Sequence, residues 1–124
     1  MARFSRKNKY HAVPTGGYHS RKECKRARQL HILEKAGEIS ELREQVPFEL
    51  LPNQYAEVGT DAKGRPVRKC VERKISYIAD FVYRDARGNL VIEDVKGVLT
   101  PEYKIKRKLM LFFHGMRITE ITDD

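Results

Sequence analysis

Residues 75–97, ISYIADFVYRDARGNLVIEDVKG, constrain the fold more than any other stretch of this chain. Ile75 to Tyr83 is rich in Ile, Tyr, Phe and Val. Asn89 to Lys96 is nearly all apolar until it meets charge, and Asp85-Ala86-Arg87-Gly88-Asn89 separates the two arms with a glycine available for a positive φ. Two β-forming arms about a short Gly-containing turn predict a β-hairpin. Three charges interrupt it. Asp80 falls in mid-arm between Ala79 and Phe81, and Asp94 and Lys96, two apart, share one face of the second arm while Glu93 points to the other. Asp and Lys are poor strand residues and costly to bury unpaired. Two carboxylates and a lysine set into an apolar hairpin therefore suggest a site for a divalent metal ion.

The elements around the hairpin follow from caps and breakers. Ser20 with Glu23 three residues on has capping-box spacing, and a helix is expected from there to about Ala36, with Cys24, Ala27, Leu30 (or His31) and Leu33 on its apolar side and Gly37 ending it. From local sequence alone Glu23 reads as the capping acid; a site residue at the start of this helix is the other reading. Glu38 to Leu42 reads as a connector. Gln45 to Leu51 reads as the first strand, with Val46, Phe48 and Leu50 alternating and Pro47 indicating an edge or a strand start. Gln54 to Val58 and Val67 to Arg73 flank a Gly59 to Pro66 turn, either a hairpin that grips nucleic acid or a solvated loop. Thr100-Pro101 opens a second helix running to about His114, with Ile105, Leu109, Phe112 and Phe113 as its core stripe and Gly115 as its C-cap. Met116 to Ile121 is the last strand.

At 124 residues the chain has the length of one domain, divided here into a basic N-terminal arm, residues 1–19, and a single domain, residues 20–124. The formal net charge is +8, and nine Lys and Arg against one acid fall within residues 1–28. Such clustering favours a polyanionic partner, nucleic acid above all. The arm contains Arg6, Lys7, Lys9 and Tyr10, residues suited to neutralising phosphates and stacking on a base; a disordered tail is the plainer reading, and the two are compatible. The second helix is basic along Lys104, Lys106 and Lys108, and Lys22 and Arg26 lie on the first. Cys24 and Cys70 form neither a disulfide framework nor a zinc motif and read as reduced thiols. No segment approaches the ~20 apolar residues that span a membrane, and no small-molecule cofactor motif is present. A cytoplasmic protein, in a bacterial host's cytoplasm or nucleoid, is the resulting expectation.

Ala79-Asp80 followed by Glu93-Asp94-Val95-Lys96 resembles the core motif of the PD-(D/E)XK nucleases, with Ala79 standing where the motif has Pro. The wider pattern resembles a family of small phage and prophage proteins placed among those nucleases, once labelled only as a domain of unknown function. It comprises Tyr10, Gly17, Ser20 to Glu23, Leu30, Gly37-Glu38-Ile39, Leu42, Gln45, Phe48, Tyr77 to Phe81, Glu93 to Gly97 and Tyr103 to Lys106. The resemblance implies an α/β fold with a restriction-endonuclease-like core, a central mixed β-sheet flanked by helices in the order αβββαβ. It implies magnesium, with manganese able to substitute, held by Asp80, Asp94, the Val95 carbonyl and Glu23. Lys96 would orient or deprotonate the attacking water, which the sequence does not decide between, and Gln45, otherwise a solvent-facing residue, would touch the scissile region. The substrate implied is DNA, with branched forms such as the Holliday junction first and nicked, flap or linear duplex DNA as alternatives. Two symmetric cuts would need a homodimer. A non-catalytic basic DNA-binding module is the competing class.

Overall fold

The structure, a computed structural model, describes residues 20–122. The chain runs α1 (Arg21–Lys35), β1 (Ser40–Leu51), β2 (Gln54–Thr60), β3 (Pro66–Glu72), β4 (Ile75–Arg84), β5 (Leu90–Val95), α2 (Pro101–His114) and β6 (Thr119–Ile121). Four strands form the central sheet in the order β1-β4-β5-β6. β1–β4 and β4–β5 are antiparallel and β5–β6 is parallel, so the sheet is mixed. With β2 and β3 set aside as a separate two-stranded sheet, the order is the expected αβββαβ of an α/β fold.

Each helix covers one face. α1 sets Ala27 and Leu30 against Ile39, Phe81 and Tyr83, with Leu33, Leu42, Val91 and Val95 at the margin. α2 sets Tyr103 and Met110 against Leu50, Tyr77, Ala79, Val82 and Ile92. The caps act as the sequence predicts: Ser20 Oγ accepts from the Glu23 amide at 3.1 Å, Thr100 Oγ1 from the Tyr103 amide at 3.1 Å, and Gly115 closes α2 at φ 65°. Pro47 lies, as expected, in an edge strand.

Two expectations need correction. β1 begins at Ser40, so most of the supposed connector is strand; its first half is largely polar, with Glu41 at φ 56° and Gln45 at φ 54°. Of the stripe expected on α2 only Leu109 packs on the core: Ile105, Phe112 and Phe113 are exposed, Phe112 by 79%, while Tyr103 and Met110, seven apart, are buried. Tyr103 wins the inner face because its hydroxyl reaches Glu120 at 2.7 Å, so the whole ring can be buried with its polar tip satisfied. On α1 the choice between Leu30 and His31 resolves to the first: Leu30 faces inward, and the His31 ring, exposed, pairs with Glu44 at 2.8 Å.

One irregularity organises the sheet. On β4, Tyr77, Ala79 and Val82 face α2, whereas Phe81 and Tyr83 face α1. The alternation slips by one residue, and Asp80 is at the slip. On β1, Val46, Phe48 and Leu50 face α2, whereas Leu42 packs toward α1 and Glu44 bonds to His31 there, so this strand slips at Gln45. Glu44 pairs with Phe81 and Val46 with Ala79, which sets Gln45 across from Asp80. The two strands change phase on the same rung and the register is kept.

Candidate active site

The slip positions Asp80. Its side chain is aimed along the sheet rather than into either core: Oδ2 accepts from the Val95 amide at 2.8 Å, and Oδ1 stands 3.4 Å from Gln45 Nε2. The same Gln45 nitrogen donates to Glu23 Oε2 at 2.9 Å. Ser20 caps α1 through the Glu23 amide, while the Glu23 carboxylate, on a residue only 5% exposed, turns toward Gln45, which favours the site reading of this residue over the capping-acid reading. Gln45 adopts a left-handed φ, which is uncommon for a residue with a side chain. Such backbone persists where the surroundings over-determine it, and here the side chain bridges two acids.

Asp94 approaches from β5. Tyr77 Oη donates to its Oδ2 at 2.5 Å, and Lys96 Nζ lies 3.0 Å from its Oδ1. Lys96 is also held over the Tyr103 ring, 3.7 Å from the centroid. Tyr103 Oη and Arg107 Nη1 both donate to Glu120 Oε2, at 2.7 and 2.8 Å. Lys96 is therefore fixed between a carboxylate and an aromatic face, and α2 and β6 supply the support. As the spacing predicts, Glu93 points to the other face. It is neither at the surface nor in the site: 1% exposed, it takes a two-pronged bond from Arg26, Nε–Oε1 2.8 Å and Nη2–Oε2 2.6 Å, and accepts from Tyr83 Oη.

The electrostatics record the crowding. Burial, then the charges of Glu23 and Asp94, push Asp80 up to about 7, against weaker opposition from the Val95 amide and Gln45. The phenols respond alike: burial and the Asp94 carboxylate raise Tyr77, burial and Glu120 raise Tyr103, and burial and Glu93 push Tyr83 up to about 12. All three stay protonated donors at neutral pH.

Residues 6–122 match the family model described as "Protein of unknown function (DUF1064)". This chain belongs to the DUF1064 family. No curated protein and no solved structure matches it. The family description assigns no chemistry, so the reading of this DUF1064 member rests on its own side chains.

Asp80, Asp94 and the main chain at Val95 offer hard oxygen donors of the kind magnesium takes, since that ion is commonly bound through one or two carboxylates and several waters. Burial, and then the charges of Glu23 and Asp94, raise Asp80 and mark a place where a cation would relieve charge. Among the described residues no group of three or more His, Cys, Asp or Glu is arranged to hold a metal ion as the side chains stand, and both oxygens of Asp94 are engaged by Tyr77 and Lys96. The donor chemistry fits a two-carboxylate magnesium site completed by water; it does not present a closed cage.

Of the residues expected to contact nucleic acid, Arg6, Lys7, Lys9 and Tyr10 lie outside the described residues. Lys104 and Lys108 are exposed on α2, and Lys106 pairs with Glu102 at 3.6 Å. Arg26 is tied to Glu93, and Lys22 Nζ lies 3.8 Å from where a Cβ on Gly97 would stand, next to the end of β5. Sequence reasoning missed Tyr77 and Glu120. Tyr77 could have been found, because it shares an arm with Asp80 and a tyrosine in a core position needs a partner for its hydroxyl. Glu120 gave no signal; only the packing of α2 on β6 explains it. Among the described residues no helix is long and apolar enough to cross a membrane.

Proposed function

We propose that this protein is a magnesium-dependent DNA endonuclease of the PD-(D/E)XK kind, acting on branched DNA first and as a homodimer. The observation that carries the reading is the convergence of Asp80 with Glu23 and Asp94, drawn from β4, α1 and β5, with Lys96 held at Asp94. Structural carboxylates are normally paired off by cations, as Glu93 is by Arg26. A carboxyl whose proton is held to about pH 7 by burial and then by its acidic neighbours supports a functional rather than a structural reading.

Asp80 and Asp94 would hold the ion, with the Val95 carbonyl beside them and Glu23 reaching it directly or through water. Magnesium so bound lowers the pKa of water and offsets charge on a phosphodiester. The chain's own residues do the positioning. Lys96 presents its ammonium at Asp94, where it can hold a water and a phosphate oxygen together, and Tyr103 beneath it restricts where that ammonium goes. Gln45 keeps Glu23 and Asp80 apart by a shared amide and aims both. Tyr77 keeps Asp94 in one rotamer through a buried hydroxyl.

One observation favours a second reading, a DNA-binding module without catalysis: no metal-holding group is formed among the described side chains as they stand. The test is cleavage of labelled four-way junction, flap and linear duplex DNA with magnesium, with manganese and with chelator, comparing wild type with Asp94→Asn. Metal-dependent cutting by wild type that falls at least a hundredfold in the variant is expected, and the best substrate separates a junction-cutting enzyme from a general endonuclease. Equal DNA binding by both proteins without cutting by either would establish the binding module.

A further inference from the structure

α2 is apolar on two sides, and the core takes one of them. Of its 14 residues Tyr103 and Met110 are the buried ones, and they hold the helix on the sheet. Ile105 and Phe112 come two residues after them, about 200° further round the helix, and so stand on nearly the opposite side. Phe112 is 79% exposed, Ile105 59%, Leu111 52% and Phe113 50%. The Phe112 and Phe113 rings meet edge to face, 5.0 Å between centroids, and form one wide apolar knob. A helix that is apolar all round is normally covered all round. Lys104 and Lys108 are exposed along one border of this outer face, and Lys106 pairs with Glu102 at 3.6 Å along the other. An aromatic centre inside a charged rim is the anatomy of a protein interface. Taking about 200 Å² for a whole phenylalanine, Phe112 and Phe113 leave on the order of 250 Å² of ring in water. With Ile105 and Leu111 the apolar surface is roughly 450 Å² per copy, more than half of the ~800 Å² that each partner contributes to a standard interface.

We propose that the outer face of α2 is where two copies of this chain meet, in an antiparallel α2–α2 contact about a two-fold axis near Lys108 and Leu109. The identity of the partner rests on the homodimer of the reading above, which this contact deepens by giving it a surface. The stripe is complementary to itself: with the axis at its middle, each Ile105 lies on the partner's Phe112, so one set of residues supplies both halves of the interface. Two such faces remove about 900 Å² of apolar surface from water, which with a narrow polar rim is the low end of specific interfaces. The dimer is therefore weak, with a Kd of micromolar order. The contact also bears on the candidate site. α2 is the helix whose Tyr103 ring lies 3.7 Å beneath the Lys96 ammonium, so a partner on its outer side clamps that support against the sheet.

The experiment is sedimentation equilibrium of the full chain in chelator, from low micromolar to near-millimolar concentration. It compares wild type, Ile105→Ser and Phe112→Ser with Ile32→Ser, a control at an exposed apolar residue of α1. Urea melts at the lowest concentration, where the monomer prevails, check that each variant folds. Wild type is expected to pass from monomer to dimer across the range. Ile105→Ser and Phe112→Ser should each raise Kd at least about tenfold, and Ile32→Ser should stay within about twofold, with all four dilute midpoints alike. A dimer equally strong in Phe112→Ser overturns the assignment. So does a wild type that stays monomeric throughout. If that monomer floats with anionic lipid vesicles and Phe112→Ser does not, the face belongs to a membrane surface. If instead its dilute midpoint falls in Phe112→Ser, residues 1–19 of the same chain cover the face. Cleavage of four-way junction DNA in magnesium keeps assembly apart from chemistry. A dimer that never cuts removes the endonuclease reading and leaves the interface, whereas cutting by a persistent monomer removes the homodimer and leaves the endonuclease.

Discussion

Asp80 holds its proton to about pH 7 because burial and the charges of Glu23 and Asp94 disfavour its ionised form. For a carboxyl raised in this way the folded protein binds a proton that the unfolded chain has already released. Stability from this group is therefore fullest at low pH and is lost as pH rises from about 4 to about 7. Asp80→Asn removes the ionisation and keeps an oxygen for the Val95 amide. Since one pKa unit corresponds to about 1.4 kcal/mol and Asp80 rises from an ordinary 3.8 to about 7, the variant should gain up to about 4 kcal/mol over wild type at pH 8 without metal, and the gain should vanish near pH 4. Urea melts at the two pH values in chelator measure it. No gain at pH 8 would mean that neither burial nor like charge disfavours the ionised form of Asp80. The same variant should be inactive, so that one substitution raises stability and abolishes function. Asp80, Asp94 and Lys96 were legible in the sequence as charges that a strand does not tolerate without cause. The roles of Gln45 and Tyr77 depend on which rung faces which, and a linear pattern does not carry that.

At the scale of the element, α2 separates what a helical period can and cannot tell. Its ends were readable because Thr100, Pro101 and Gly115 act locally, through one hydrogen bond, one fixed φ and one left-handed cap. Its inner face was not, because two apolar stripes compete on it and the choice depends on Glu120, on a strand made later in the chain. Met110→Ala should cost about 2–5 kcal/mol, the range for emptying a buried methionine, whereas Phe112→Ser should change stability by no more than about 0.5 kcal/mol. Denaturant midpoints at unchanged m-value decide between the stripes, and the reverse ranking would restore the one that the sequence suggested. β1 teaches the same lesson from the other side. Its first residues were hidden because Ser40, Glu41, Arg43 and Glu44 are polar, and Glu41 and Gln45 take left-handed φ where no glycine announces it.

Over the whole molecule, the two helices bury separate cores on opposite faces of one sheet, and the β2–β3 pair belongs to neither. Its residues are exposed or half-buried, and Asn53 Oδ1, accepting from the Lys74 amide at 2.7 Å, closes its base. A two-stranded hairpin alone is marginal in water, so this arm adds little to the stability of the rest. Replacing residues 54–72 with a short Asn-Gly turn should leave the melting temperature within a few degrees of wild type and the metal dependence of cutting unchanged. A collapse of the fold on removal would show that the arm is structural. The sequence identified the arm through Gly59, Gly64 and Pro66 and left its two uses open; the structure adds that neither core needs it.

The paired slip at Gln45 and Asp80 has one further consequence. Because both strands change faces on a single rung, the count of residues on either side of that rung is locked: adding or removing one residue near 45 or 80 would turn half a strand inside out, emptying one core into solvent while misdirecting an acid. The arm at 59–66 obeys no such arithmetic. The chain therefore has a place where its length is free and a place where it is quantised, and Asp80 stands at the second.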